Sequence, residues 1–309
     1  MNKSQKSLAP IVLFVFARPD HTKRTLEALA ANDLAEDSDL IIYSDAARNQ
    51  LQFDAVNEVR LLAKATTGFR SVTLIERQSN YGLAKNIIEG VTEACARYER
   101  VIVLEDDHVT SSSFLTFMNL ALDRYQADER VWHVSGWNYP IDPDALGDAF
   151  FLRVMNCWGW GTWKDRWQHF EKNTEKLLSE FDEKMIRDFD LNGSGVFWSQ
   201  VILNSENKID TWAIYWYATI FKNGGLCLNP SVSYLDNIGH DGSGTHGSRA
   251  GRAYSTSLST NPAPILPIDI SESELGIKRI FEYYQSIRPK LAKRIANKAH
   301  AFFKRMGAL

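Results

Sequence analysis

Apolar and polar positions alternate along the first third of the chain with a steady rhythm. Apolar runs at 11–17, 40–43, 71–75 (with Ser71 and Thr73 among them) and 101–104 each end at a polar residue, as expected of strands buried on both faces of a sheet. Between them, at about 20–32, 52–66 and 83–98, apolar residues recur at helical spacing. Asp20 is placed to cap the first of these helices. Strands alternating with helices predict an α/β fold with a mainly parallel sheet flanked by helices. In such sheets ligands bind beyond the carboxyl ends of the strands, where the strand order reverses. Attention therefore falls on the residues after each strand: Arg18 and Asp20, Ser44 and Asp45, the stretch 76–81, and Glu105-Asp106-Asp107-His108.

Beyond the acids the pattern predicts a helix at 112–126 and a short strand at 131–135. Next comes a region dense in aromatics and glycine, with six of the nine tryptophans between 132 and 167. The glycines separating Trp158, Trp160 and Trp163 break helical periodicity and predict a rigid loop presenting indole faces, suited to stacking on sugars; plain packing is the alternative. A helix over 211–222 stops at Asn223-Gly224-Gly225. Two short strands are expected to flank Asn229-Pro230, followed by a glycine-rich loop at 239–247. No internal repeat is present.

Composition narrows the class. The chain is 44% hydrophobic and 24% charged over 309 residues, an ordinary globular balance that allows two domains or one large one. Three well-separated cysteines (Cys95, Cys157, Cys227) argue against a disulfide framework and fit a reducing, cytoplasmic compartment. The 11–17 run is far shorter than the roughly 20 residues of a membrane span. It lacks a following small-residue cleavage site, so it reads as a buried strand and not an export signal. Net charge is −3, yet 283–309 holds seven bases and no acid, leaving 28 bases against 38 acids elsewhere. An acidic body does not fit a nucleic-acid reader. The basic tail reads either as an amphipathic helix on an anionic membrane surface or as a helix packed on the acidic body.

The strongest chemical signal is Glu105-Asp106-Asp107 at the mouth of a buried strand, where repulsion and desolvation penalise every charge. A divalent cation, Mn2+ or Mg2+, would neutralise such a cluster and bridge it to substrate phosphates. A solvated acidic turn is the alternative.

Several motifs in order resemble nucleotide-sugar glycosyltransferases of the GT-A fold, both the large bacterial inverting family and the N-acetylglucosaminyltransferase of complex N-glycan synthesis. They are Phe16-Ala17-Arg18-Pro19, Ser44-Asp45, Asn80-Tyr81-Gly82-Leu83-Ala84-Lys85-Asn86, Val103-Leu104-Glu105-Asp106-Asp107, Val134-Ser135-Gly136-Trp137-Asn138, Trp158-Gly159-Trp160-Gly161, Asp210-Thr211-Trp212 and Gly242-Ser243-Gly244-Thr245-His246-Gly247. Together they span about 10–250. The resemblance implies a GT-A domain over 1–260, with a nucleotide-binding half at about 10–135 and an acceptor half at about 136–260, and a basic amphipathic helical tail at 261–309.

The resemblance further implies that Arg18 and Asp45 contact the nucleotide base and its surroundings, and that Lys85 approaches base or diphosphate. Glu105 would bond the donor sugar, Asp106 the ribose and Asp107 the metal. Ser243 to His246 would close over the diphosphate, with His246 a phosphate donor or metal ligand and His240 the runner-up. Asp210 would deprotonate the acceptor hydroxyl, and Trp137, Trp158 and Trp160 would form a sugar platform. The implied partners are a nucleoside-diphosphate sugar, a UDP-sugar foremost, and a glycan or glycolipid acceptor of a bacterial surface polysaccharide, with inversion at the anomeric centre. Plainer roles stand beside these: Arg18 an exposed loop residue, Lys85 a surface lysine, Asp45 and Asp210 helix caps. A nucleotidyltransferase would need a glycine-rich basic loop after the first strand, and Ala17-Arg18-Pro19-Asp20-His21 contains no glycine. A non-catalytic, membrane-associated carbohydrate-binding protein would account for the tryptophans and the tail but not for the acids.

Overall fold

The computed structural model describes residues 7–241, 254 and 257–287. Each apolar run of the first third becomes a strand: β1 (Ile11–Val15), β2 (Asp39–Ser44), β3 (Ser71–Glu76) and β4 (Arg100–Glu105), separated by helices α1 (Pro19–Ala30), α2 (Phe53–Ala65) and α3 (Leu83–Arg97). The chain continues through β5 (His108–Thr110), α4 (Phe114–Tyr125), β6 (Val131–Ser135), β7 (Ala149–Leu152) and β8 (Trp160–Trp163). Four short helices follow, α5 (Lys164–Trp167), α6 (Thr174–Glu180), α7 (Glu183–Phe189) and α8 (Trp198–Ser205). The described part then runs through α9 (Ala213–Lys222), β9 (Leu226–Pro230), β10 (Leu235–Asn237) and α10 (Glu274–Ile287).

Eight strands form one sheet in the order β3-β2-β1-β4-β8-β6-β9-β7. Only β8 and β7 run against the rest, so the sheet is mixed and mainly parallel, flanked by helices, as the pattern predicts. It runs unbroken from the first strands into the second half of the chain. Strands β1 and β4 are buried along nearly their whole length, which their unbroken apolar sequences require. From β1 the chain builds outward to β3, then returns to lay β4 on the other side of β1. The strand order therefore reverses between β1 and β4, and Phe14 pairs with Glu105 across that boundary. The loops after these two strands meet at the position in the sheet where α/β folds bind ligands.

The second half corrects several expectations. Of the segment expected to be a rigid indole-bearing loop, Trp160–Trp163 is strand β8 in mid-sheet, while Trp158 and Gly159 lie in the bend before it. Gly161 does not break structure there; a Cβ at that position would lie 3.0 Å from the Val101 carbonyl and 3.1 Å from Met118, so the missing side chain lets α4 lie close to the sheet. Asp20 does not cap α1: Arg18 is the N-cap residue and Pro19 opens the helix. Asn229-Pro230 closes β9 and does not separate two strands. The helices α6 and α7 are capped by the Asn173 and Asp182 side chains, which accept from Lys176 and Met185 N–H.

The stretch 261–273 is not helical. It straps the sheet at β7, where Glu272 bridges Phe151 and the Ser273 N–H donates to the Phe151 carbonyl at 2.9 Å. Helix α10 then packs on β7 with Gly276 against Phe150, burying Ile277, Ile280 and Tyr284. The basic tail beyond 287, with Ser243 and His246, lies outside the described residues. Among the described residues no helix is long and apolar enough to cross a membrane.

Candidate functional site

The acidic turn closes β4, and Arg18 meets it from the end of β1. One guanidinium nitrogen of Arg18 donates to Asp106 and to Asp107 Oδ2, the latter at 2.8 Å, so a single cation spans two buried carboxylates. The Phe16 N–H adds a bond to Asp106 Oδ2 at 3.1 Å, and Thr25 Oγ1 donates to the Asp106 carbonyl at 2.9 Å. Burial opposes the charge on Arg18, but Asp106 and Asp107 outweigh it and raise the guanidinium's pKa. Burial, with repulsion from Asp107 and Asp106, pushes Glu105 up to about 8 against the pull of Arg18. Burial likewise raises Asp106, opposed by Arg18.

His108 is fully buried behind the turn. Its Nδ1 accepts from the Glu105 N–H at 3.0 Å, which leaves the proton on Nε2 in the neutral ring. Burial pushes this histidine down to about 4. Its Nε2 lies 3.6 Å from Asp107 Oδ1, too far for a hydrogen bond. Asp107 Oδ1, His108 Nε2 and both ring nitrogens of His240 are buried polar atoms without a hydrogen-bond partner among the described residues. Such atoms are uncommon in folded proteins, and several around one turn leave donors and acceptors that water or a ligand would satisfy.

The opposite wall comes from β10 and the single turn after it. Strand β10 pairs with β5, His108 opposite Asn237, and the Ile238 N–H donates to the Asp107 carbonyl at 2.9 Å. Gly239 follows, and a Cβ there would collide with the Asp107 carboxylate and lie 3.1 Å from Arg18 Nη1. Only glycine fits. His240 stacks on Tyr254 at 5.5 Å and meets the edge of Trp158 at 5.2 Å. Trp158 in turn packs edge-on against Trp137 at 4.5 Å.

The loop after β2 is organised differently. Asp45 is buried and accepts from Ala46, Tyr81 and Gly82 N–H and from Asn80 Nδ2, at 2.8–3.0 Å. It is neither the helix cap nor a free base-reading carboxylate; its oxygens are used in fastening the 80–82 loop to β2. Lys85 lies exposed over the Tyr81 ring at 4.3 Å and 3.7 Å from Glu89. Arg48, which the sequence did not single out, donates from Nε to Asn80 Oδ1 at 3.2 Å and lies over Phe16 at 5.7 Å.

Asp210 precedes α9, and Trp212 at the start of that helix stacks on Trp160, which pairs with Val103 near the end of β4. Asp210 is exposed and paired with Lys172, and Trp212, not Asp210, is the N-cap residue of α9. Of the expected sugar platform, Trp160 is 1% exposed and wedged between His133 and Trp212 at 5.3 and 5.1 Å. It is core and cannot present a face. Trp137 is buried with its indole N–H unpartnered, leaving Trp158, partly buried, as the indole nearest solvent. Neither Gly239 nor Cys157 is assigned to the site from sequence; the Cys157 thiol is pushed up to about 12 by burial, with Glu105 and Asp107 nearby.

Among the described residues no group of three or more His, Cys, Asp or Glu side chains is arranged to hold a metal ion. What they offer is narrower: the unpartnered Asp107 Oδ1, a hard oxygen of the kind Mg2+ or Mn2+ takes when substrate phosphates and water complete the shell.

No protein-family model matches the chain, and no curated protein does. Among solved structures it is similar to TarS of S. aureus at 13% identity and TM-score 0.30, over 41% of this chain and 21% of that one. It is also similar to the mannosyltransferase PcManGT from Pyrobaculum calidifontis, solved with GDP-Man and Mn2+, at 12% identity and TM-score 0.37 over 70% of each chain. The match thus spans about a fifth of TarS. Likeness at this level fixes neither family nor substrate, and the chemistry has to be read from the crevice between β1 and β4.

Proposed function

We propose that the chain is a GT-A-type glycosyltransferase that moves a sugar from a nucleoside diphosphate, a UDP-sugar foremost, to a glycan or glycolipid hydroxyl with inversion. The observation that supports this best is the set of unpartnered buried polar atoms around Asp107, at the strand-order reversal of a mainly parallel sheet. A ligand carrying both donors and acceptors would satisfy them.

In this reading the base lies by Phe16, Arg48 and Asn80, with Asp45 holding that loop in shape and Lys85 at its rim. Asp106, fixed by Arg18 and Phe16 N–H, meets the ribose, and Glu105 bonds the donor sugar. A divalent cation on Asp107, with His246 as a further ligand, would stabilise the charge that develops on the leaving diphosphate. Ser243, outside the described residues, would bind those phosphates. Asp210, released from Lys172, takes the acceptor proton, and Trp158 supports the acceptor ring. Cytoplasmic placement, with the tail from 288 on the inner membrane face, completes the proposal.

Calorimetry with UDP and GDP, each in Mn2+ and in EDTA, tests the reading. The expected result is nucleotide binding that Mn2+ strengthens. Asp210→Asn should then keep that binding and lose transfer by about a hundred- to ten-thousandfold. Absence of nucleotide binding under both conditions would sink the transferase, and undiminished turnover in Asp210→Asn would remove that residue from its role.

A further inference from the structure

We propose that Arg18 is a resident counter-ion that keeps a divalent cation off Asp107 until a diphosphate arrives, so that cation and nucleotide enter the crevice together. The inference rests on the transferase reading and concerns how that site is loaded.

Arg18 is held in place from several sides. Its N–H donates to the Phe16 carbonyl and its own carbonyl accepts from Thr22 N–H, both at 2.9 Å, so the residue is locked into the entry of α1. Phe16 is in turn bonded to Asp106. The guanidinium reaches Asp106 and Asp107 at once and has Gly239 packed beside it. Two carboxylates share this one guanidinium, which leaves the turn negative but not bare of positive charge. Asp107 Oδ2 is taken by Arg18, and Oδ1 alone is without a partner.

A lone divalent ion would gain one protein oxygen here, since the described residues provide no larger ligand group. It would also sit one carboxylate's width from a guanidinium, and like charges in a desolvated crevice repel strongly. A diphosphate changes both conditions. Its oxygens supply the missing ligands, and its negative charge gives the remaining guanidinium N–H groups an acceptor. Cation and nucleotide then favour each other, and by linkage each must strengthen the other's binding by the same factor.

The test titrates Mn2+ into the full chain by electron paramagnetic resonance and calorimetry, alone and with saturating UDP or GDP, for the wild type and Arg18→Gln. The wild type should take Mn2+ at least about tenfold more tightly with the nucleotide than without it. Arg18→Gln should bind Mn2+ alone about tenfold more tightly than the wild type and show a smaller gain from nucleotide. Equal Mn2+ affinity in the two proteins, or weaker binding by the variant, would overturn the proposal. If Arg18→Gln fails to melt cooperatively, Arg18→Lys, which keeps the charge but loses the two-carboxylate reach, should show an intermediate affinity; an unchanged one also overturns it. Nucleotide binding with equal Mn2+ affinities sinks the Arg18 role alone, whereas no nucleotide binding at all sinks the transferase.

Discussion

Two buried aspartates stand at the ends of the two strands that flank β1 in the sheet, Asp45 after β2 and Asp107 after β4. Asp45 accepts four bonds, three of them from backbone amides. Asp107 shares one oxygen with Arg18 and leaves the other without a partner. The first is a fastening, and its loop is closed. The second is left open among the described residues, which suits it to a group from outside. Burial and residue type are the same in both places; the count of satisfied lone pairs tells them apart.

Substituting each aspartate should break the comparison in opposite ways. Asp107→Asn should lower transfer by roughly a hundred- to a thousandfold. Its thermal midpoint should move little, because relief of repulsion from Asp106 offsets the weakened pairing with Arg18. A large fall in melting temperature would mean that Asp107 is structural after all. Asp45→Ala should do the reverse, orphaning the Tyr81 and Gly82 amides at a cost of about 3 kcal/mol in chemical denaturation. Full stability in that variant would remove the fastening role.

A smaller effect sharpens the picture of the acidic turn. The Glu105 carboxyl is raised in the folded chain from 4.5 to about 8. The folded state therefore holds its proton more firmly than the unfolded state does, and stability is full below the unfolded value and declines as pH rises through about 8. Glu105→Gln should flatten that decline in thermal melts across the same window. An unaltered slope would show that Glu105 is not the titrating group.

The parallel half was legible because continuous apolar runs have few other homes; β2, β3 and β4 extend their predicted bounds by at most a residue at either end, and β1 is two residues shorter. Strand β8 was not legible, since glycine between tryptophans reads as a break until α4 is seen pressing on Gly161. The caps Asn173 and Asp182 were visible but sat before helices too short to show a periodicity. Asp106 and Asp107 announced themselves through their position after an apolar run. Their pairing with Arg18 could not be read, because it depends on β4 lying beside β1, and sequence order alone does not set which strands are neighbours.

The strap at 271–273 has a consequence for how the molecule behaves in a crowd. An outermost strand normally offers bare peptide groups to any passing chain. At β7 the Phe151 carbonyl is already taken by Ser273 and the Arg153 N–H by Glu272. The protein's own return segment thus occupies the flank where a second copy would otherwise add on, and it guards against fibre-like self-association.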